Sequence, residues 1–215
     1  MSNTQKVAVI GLGNIGKALA NNLLKGNREI IVASKNFEDA VAFASNAGDL
    51  AEALQIEEAV KSADIIIPTV WFNVGQEFVQ QYANDLKGKI IIDVSNPIAQ
   101  DENGGFKKII AENQSSGQIM HDLVSDNAKL VKTFGTLGVE SLTNAAHQQP
   151  ANAMFYATDH NEVSNTIEIL INDAGFEALS IGGIDQSIRM EVFGDLHEFG
   201  AIGKSVTATE GKSKI

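Results

Sequence analysis

The residues best suited to chemistry in this 215-residue chain lie in two short stretches near its start. The first, "VAVIGLGNIG", sets Gly11, Gly13 and Gly16 in a G-x-G-x-x-G pattern. Behind an apolar run and ahead of a helical one, that spacing forms a turn able to wrap a pyrophosphate. Gly11 allows the tight turn, Gly13 lets the backbone approach the anion, and Gly16 lets the helix pack on the strand. Leu12, Asn14 and Ile15 complete the turn, and the first N–H groups of the helix then face the anion. A turn that is merely rich in glycine is the plain alternative; the strand–turn–helix context argues against it.

The second stretch, "IIVASKN", ends an apolar run with Ser34, Lys35 and Asn36. In an NAD site a carboxylate at this point accepts hydrogen bonds from the adenosine ribose. A carboxylate would repel a 2′-phosphate, whereas a hydroxyl, a backbone N–H, an ammonium and an amide can donate to one. The expected cofactor is therefore NADP. Glu38 or Asp39 serving the ribose of NAD is the alternative, but both fall inside the following helix, past the tip of the strand.

These residues need a scaffold, and the rest of the chain reads as one. Short apolar runs ("KVAVIG", "EIIVAS", "DIIIPTV", "KIIIDVSNP", "KLVKTFG", "NAMFYAT", "EALSIG") alternate with segments of helical period. Ile15, Leu19, Leu23 and Leu24 share one helix face before Gly26, and Val163, Ile167, Leu170 and Ile171 share another before Gly175. Asn36 starts a helix, "DLAEALQIEEAVKSA" holds a short strand and a short helix, and a further helix is expected around Gly75–Leu86. Strands apolar on both faces and spaced by helices imply an α/β fold with a mostly parallel sheet covered on both sides. Ala99–Gly117 is the one loop-rich region, and long loops in compact domains are often functional.

Composition removes several classes of function. With no cysteine, thiol chemistry, disulfides and cysteine-ligated metal are out. A net charge of −11 argues against nucleic acid and anionic membrane as partners. No apolar run approaches the roughly twenty residues of a membrane span, and "MSNTQKVAVIG" lacks the form of a secretion signal, so a cytoplasmic protein is expected. His121, His147, His160 and His197 show no metal-ligand spacing, and no metal site is expected.

The order of "VAVIGLGNIGKALA", "IIVASKN", "DIIIPTVWFNV", "KIIIDVSNP", "LVKTFGTLGVESL" and "FYATDHNEVSNTIEILINDAGFEALSIGGID" resembles NADPH-dependent deazaflavin (coenzyme F-420) reductases and their NADP-binding relatives. It is similar also to the cytosolic domain of animal metalloreductases. The resemblance runs over residues 6–185 and implies a doubly wound Rossmann domain (1–145) with a small C-terminal part (146–215) closing over the nicotinamide. It implies that Thr69, Val70 and Trp71 line the nucleotide, and that Ser95, Asn96 and Pro97 lie beside the nicotinamide and the acceptor ring. Packing by Trp71 and a simple Asn-Pro turn are the structural alternatives. The family usually carries asparagine where this chain has Gly135, which opens the question of the acceptor and suggests a roomier, less selective site.

The resulting expectation is an NADP(H)-dependent oxidoreductase passing hydride to a flavin-, deazaflavin- or quinone-like small molecule, with a homodimer left open. No catalytic residue is assigned, because transfer between stacked rings needs orientation more than a strong acid. A non-catalytic NADP(H) sensor or regulatory module is the alternative. Hydroxyacid dehydrogenases and imine reductases share the first half, but they carry a large helical second domain for which this chain is too short.

Overall fold

The computed structural model describes residues 5–102, 104–124 and 128–215. The first four residues, on which the reading of a missing signal partly rests, and residue 103 of the expected loop lie outside the described residues. Three strands and their helices come first: β1 (Val7–Ile10), α1 (Asn14–Lys25), β2 (Ile30–Ala33), α2 (Phe37–Ala47), β3 (Ala51–Ala53) and α3 (Ile56–Ser62). Next are β4 (Ile65–Pro68), α4 (Phe72–Gln81), β5 (Ile90–Asp93), a hairpin of β6 (Ile98–Gln100) and β7 (Phe106–Lys108), α5 (Ser116–Leu123) and β8 (Lys129–Thr133). The chain ends with α6 (Val139–Asn144), β9 (Ala153–Ala157), α7 (Ser164–Asp173), β10 (Glu177–Ser180) and α8 (Ala208–Lys212).

Eight strands form one sheet in the order β10-β9-β8-β5-β4-β1-β2-β3. Every neighbouring pair is parallel except β8 and β9. The chain winds from β1 to β3 in one direction and then returns to place β4 on the other side of β1, so a crevice opens between their carboxyl ends. In doubly wound sheets that crevice is where ligands bind.

The alternation of side chains explains why both faces are apolar. Val7 and Val9 point into a core shared with Leu19 and Leu23 of α1 and Ile167 and Leu170 of α7. Ala8 and Ile10 point into a second core with Val60 of α3, Phe78 of α4 and Met120 of α5. A third cluster packs Phe155 of β9 and Leu179 of β10 against Met190, Leu196 and Val206 of the C-terminal segment. Strands β9 and β10 thus continue the same sheet across residue 145.

Three local expectations need correction. The helix expected at Gly75–Leu86 begins three residues sooner, at Phe72, and ends at Gln81. The loop-rich Ala99–Gly117 contains the β6–β7 hairpin, where Gly104 takes φ 81° and Asp101 Oδ1 accepts from the Gly105 N–H at 2.9 Å. Its end opens α5, for which Ser115 is the N-cap and accepts from the Gln118 N–H. These elements are three to eight residues long, too short for periodicity to reveal.

Candidate active site at the carboxyl edge of the sheet

The glycine turn follows β1 with Gly11 at φ 103°, a conformation that suits glycine. A Cβ on Gly16 would stand 2.0 Å from the Gly11 carbonyl oxygen and 2.5 Å from Thr69 Oγ1, so only glycine lets α1 come this close. Thr69, at the end of β4, locks the turn: its hydroxyl donates to the carbonyls of Ile10 (3.1 Å) and Gly11 (2.5 Å). Val70 packs beside Gly11. Trp71 caps α4 with its backbone and leaves its indole 58% exposed at the rim.

The anion-facing features are present together. Helix α1 has Gly13 as its N-cap with no side chain capping it and no acid in its first turn. The first helical N–H groups, at Asn14 and Ile15, are therefore left for a ligand. A Cβ on Gly13 would meet no protein atom within 4 Å, so the space in front of the turn is open. At the tip of β2, Lys35 is exposed and has no ion-pair partner among the described residues. Ser34 is half-buried beside it, and Asn36 caps α2 with its backbone and not its amide. Glu38 and Asp39 lie in the first turn of α2, as the sequence placed them. From β2 to β5 the edge crosses β1 and β4, three strand spacings or roughly 14 Å. This donor set fits a dinucleotide phosphate laid along the edge, with the extra phosphate at β2.

At β5 the structure adds what sequence reasoning missed. Asp93 of β5 is the register partner of Lys132 of β8, and their buried side chains form an ion pair of 2.8 Å. Lys132 also donates to the Ser95 carbonyl and, at 3.0 Å, to Ser116 Oγ. Asp93 Oδ1 accepts from the Ser95 N–H (2.9 Å) and hydroxyl (2.7 Å). The Ser95 side chain is thus turned inward. The amide of Asn96 is equally occupied: Nδ2 donates to the Gly135 carbonyl at 2.9 Å, and Oδ1 accepts from the Val192 N–H at 2.8 Å. Pro97 is buried beside them.

A C-terminal strap completes this end. After a 3-10 turn over Ile184–Met190, residues 191–199 bond to the ends of β5 and β8. Glu191, 1% exposed, accepts from Ser115 Oγ (2.8 Å) and the Gly117 N–H (3.0 Å), which ties the strap to the start of α5. The Glu198 N–H donates to the Thr136 carbonyl, and its side chain accepts from the Gly138 N–H. His197 is buried, accepts from the Phe199 N–H at Nδ1 (3.0 Å) and bonds to the Gly135 backbone. Burial pushes its pKa down to about 4, with the nearby Lys132 ammonium adding to the effect, so the ring is neutral near pH 7. The other histidines do not join it; His147, for one, bonds the Asn22 carbonyl behind α1.

The room expected at Gly135 is not there. A Cβ at this buried position would stand 2.9 Å from the Val94 carbonyl oxygen and 3.6 Å from Asn96 Nδ2. Asp93 ends one apolar run and Lys132 interrupts another, and that signal was legible; pairing them required knowing that β5 neighbours β8. Among the described residues no group of three or more His, Asp or Glu could hold a metal ion, and no helix is long and apolar enough to cross a membrane.

Residues 6–97 match the family model described as NADP oxidoreductase coenzyme F420-dependent. The chain is 23% identical over 196 residues to the F420-dependent NADP reductase of Methanocaldococcus jannaschii, covering 86% of this chain and 87% of that protein. It is 25% identical over 186 residues to metalloreductase STEAP3 of Rattus norvegicus, covering 86% of this chain and only 36% of the metalloreductase's length. The fold is shared with a hypothetical protein, SMa0349 from Sinorhizobium meliloti, at a TM-score of 0.81, 23% identity and 96% coverage of both chains. The resemblance drawn from the motifs holds. Over these residues the chain is similar to NADP-dependent oxidoreductases, and NADP is the cofactor that this similarity supports.

Proposed function

We propose that this NADP-dependent oxidoreductase transfers hydride between the nicotinamide and a planar flavin- or deazaflavin-like acceptor. The observation that carries the cofactor half is the edge itself: an uncapped α1 N-terminus, open space at Gly13, and an unpaired Lys35 where an NAD site holds a carboxylate. Ser34, Lys35 and Asn36 hold the 2′-phosphate, the turn from Gly11 to Gly16 takes the pyrophosphate, and Thr69, Val70 and Trp71 border the path between them. Ser95, Asn96 and Pro97 set the floor at the reacting end through their backbone, because two of their side chains are engaged elsewhere.

When bound, NADPH supplies the hydride and NADP+ accepts it. What the chain contributes is orientation. At the carboxyl end of β5, Asp93 and Lys132 are paired with each other, Glu191 is buried with one oxygen held by Ser115 and Gly117, and His197 is neutral. That arrangement supports a reaction needing stacked rings held in register and no strong general acid. Residues 191–199 of the C-terminal part act as the wall that closes the acceptor side. Acceptor class is favoured by the motif resemblance and by the name of the archaeal relative. Steady-state NADPH oxidation with FMN, a deazaflavin and menadione, alongside calorimetric NADPH binding, tests the reading. Tight binding with no turnover on any acceptor would favour a sensor.

A further inference from the structure

Among the described residues, four non-glycine residues have positive φ: Asn27 (62°), Phe134 (60°), His147 (57°) and Phe193 (74°). Asparagine and histidine enter this left-handed region comparatively often, whereas a bulky phenylalanine there is an outlier that the surroundings must impose. The two phenylalanines are connected. Phe134 precedes Gly135, whose carbonyl accepts from Asn96 Nδ2, and Phe193 follows Val192, whose N–H donates to Asn96 Oδ1. One amide at the tip of β5 therefore clasps both strained turns.

Their burial differs. Phe134 is fully buried, so packing offsets its strain, but Phe193 is 55% exposed and gains little from burial. A glycine at 193 would carry the same backbone without cost. What the chain obtains for the strain is the phenyl ring itself, presented one residue beyond the point where the strap is fastened to β5.

We propose that Phe193 is a specificity-determining residue: its ring is the apolar face against which the planar ring of the redox acceptor packs, and Asn96 is the positioning residue that holds it there. The proposal rests on the hydride-transfer reading above. Aromatic faces pair with planar rings in offset or edge-on contact, which gives shape selection without hydrogen bonds. It supplies the acceptor-side contact that the buried Gly135 cannot.

The test uses the full chain with FMN as probe, comparing wild type, Phe193→Gly, Phe193→Tyr and Asn96→Ala. Phe193→Gly should raise Tm by about 2 °C or more through relief of strain, while KM for FMN rises at least about tenfold and kcat stays within about threefold. NADPH affinity by calorimetry should hold within about threefold, and FMN binding to the NADP+-loaded protein, read by flavin fluorescence, should weaken in step with KM. Phe193→Tyr should retain FMN use, and Asn96→Ala should weaken FMN binding as Phe193→Gly does. A Phe193→Gly variant with unchanged KM and unchanged FMN binding overturns the assignment, as does one that only changes oligomeric state in sedimentation. If wild type binds NADPH yet reduces none of FMN, a deazaflavin and menadione, the hydride-transfer reading itself has failed and this inference falls with it.

Discussion

On the proposed reading a single cation, Lys35, sets the cofactor preference, while a single missing side chain, at Gly16, sets how close two elements come. Lys35 stands unpaired at the tip of β2, and NADPH should bind at least about tenfold more tightly than NADH, a difference of about 1.4 kcal/mol. Lys35→Glu should narrow or reverse that gap, and paired calorimetric titrations measure it; equal affinities in the wild type would remove the 2′-phosphate site. Gly16→Ala forces a Cβ to within 2.0 Å of a backbone oxygen, so either α1 or the turn must shift. Overpacking of this kind costs about 1–3 kcal/mol, and NADPH binding should fall with it if the turn takes the pyrophosphate as proposed. Gly135→Asn, which the family pattern suggests as a gain of selectivity, should instead destabilise the fold, since its Cβ would meet the Val94 carbonyl at 2.9 Å. Urea denaturation of that variant decides between the two.

At the scale of elements, the pairing of β5 with β8 is where the floor of the site is made. Lys132 and Asp93 are 1% and 3% exposed, and through Ser95 and Ser116 they join both strands to the start of α5. Removing one partner leaves the other charge buried and alone. Lys132→Met should therefore cost about 3–5 kcal/mol, while Lys132→Met with Asp93→Leu should recover much of the loss. A double-mutant cycle in urea gives the coupling; a cycle that is additive would mean that the pair is not a unit. These two residues were visible as charges, Asp93 ending the apolar run "IIID" and Lys132 interrupting "KLVKT". Their union was not, because β5 and β8 are separated by a hairpin and a helix, and strand order is a property of the assembled sheet.

For the whole molecule, the strap makes stability depend on pH. His197 has a folded pKa of about 4 against an ordinary 6.5, so the unfolded chain binds the proton more readily in that interval. Stability is full above about pH 6.5 and is lost as pH falls toward 4, by at most about 3 kcal/mol from this group. His197→Gln should flatten the profile in that window, and thermal melts from pH 4 to 7.5 would show it. An unchanged slope would mean that other groups govern the acid limb.

What the sequence determined by itself is local. The turn from Gly11 to Gly16, the tip at Ser34–Asn36, helices α1 and α7 and the apolar strands β1 and β2 follow from spacing, φ requirements and periodicity within a few residues of one another, and each stands where it was expected. The tertiary structure decided everything that depends on meeting at a distance. It turned Ser95 inward, gave Asn96's amide to Gly135 and Val192, buried Lys132 against Asp93, and brought the strap from Glu191 to His197 against the start of α5 and the ends of β5 and β8, far earlier in the chain. A side chain's hydrogen-bond partner, burial and charge state are set by its neighbours in space. For residues on a parallel sheet and a returning strap, those neighbours are far away in sequence, and only the packed fold names them.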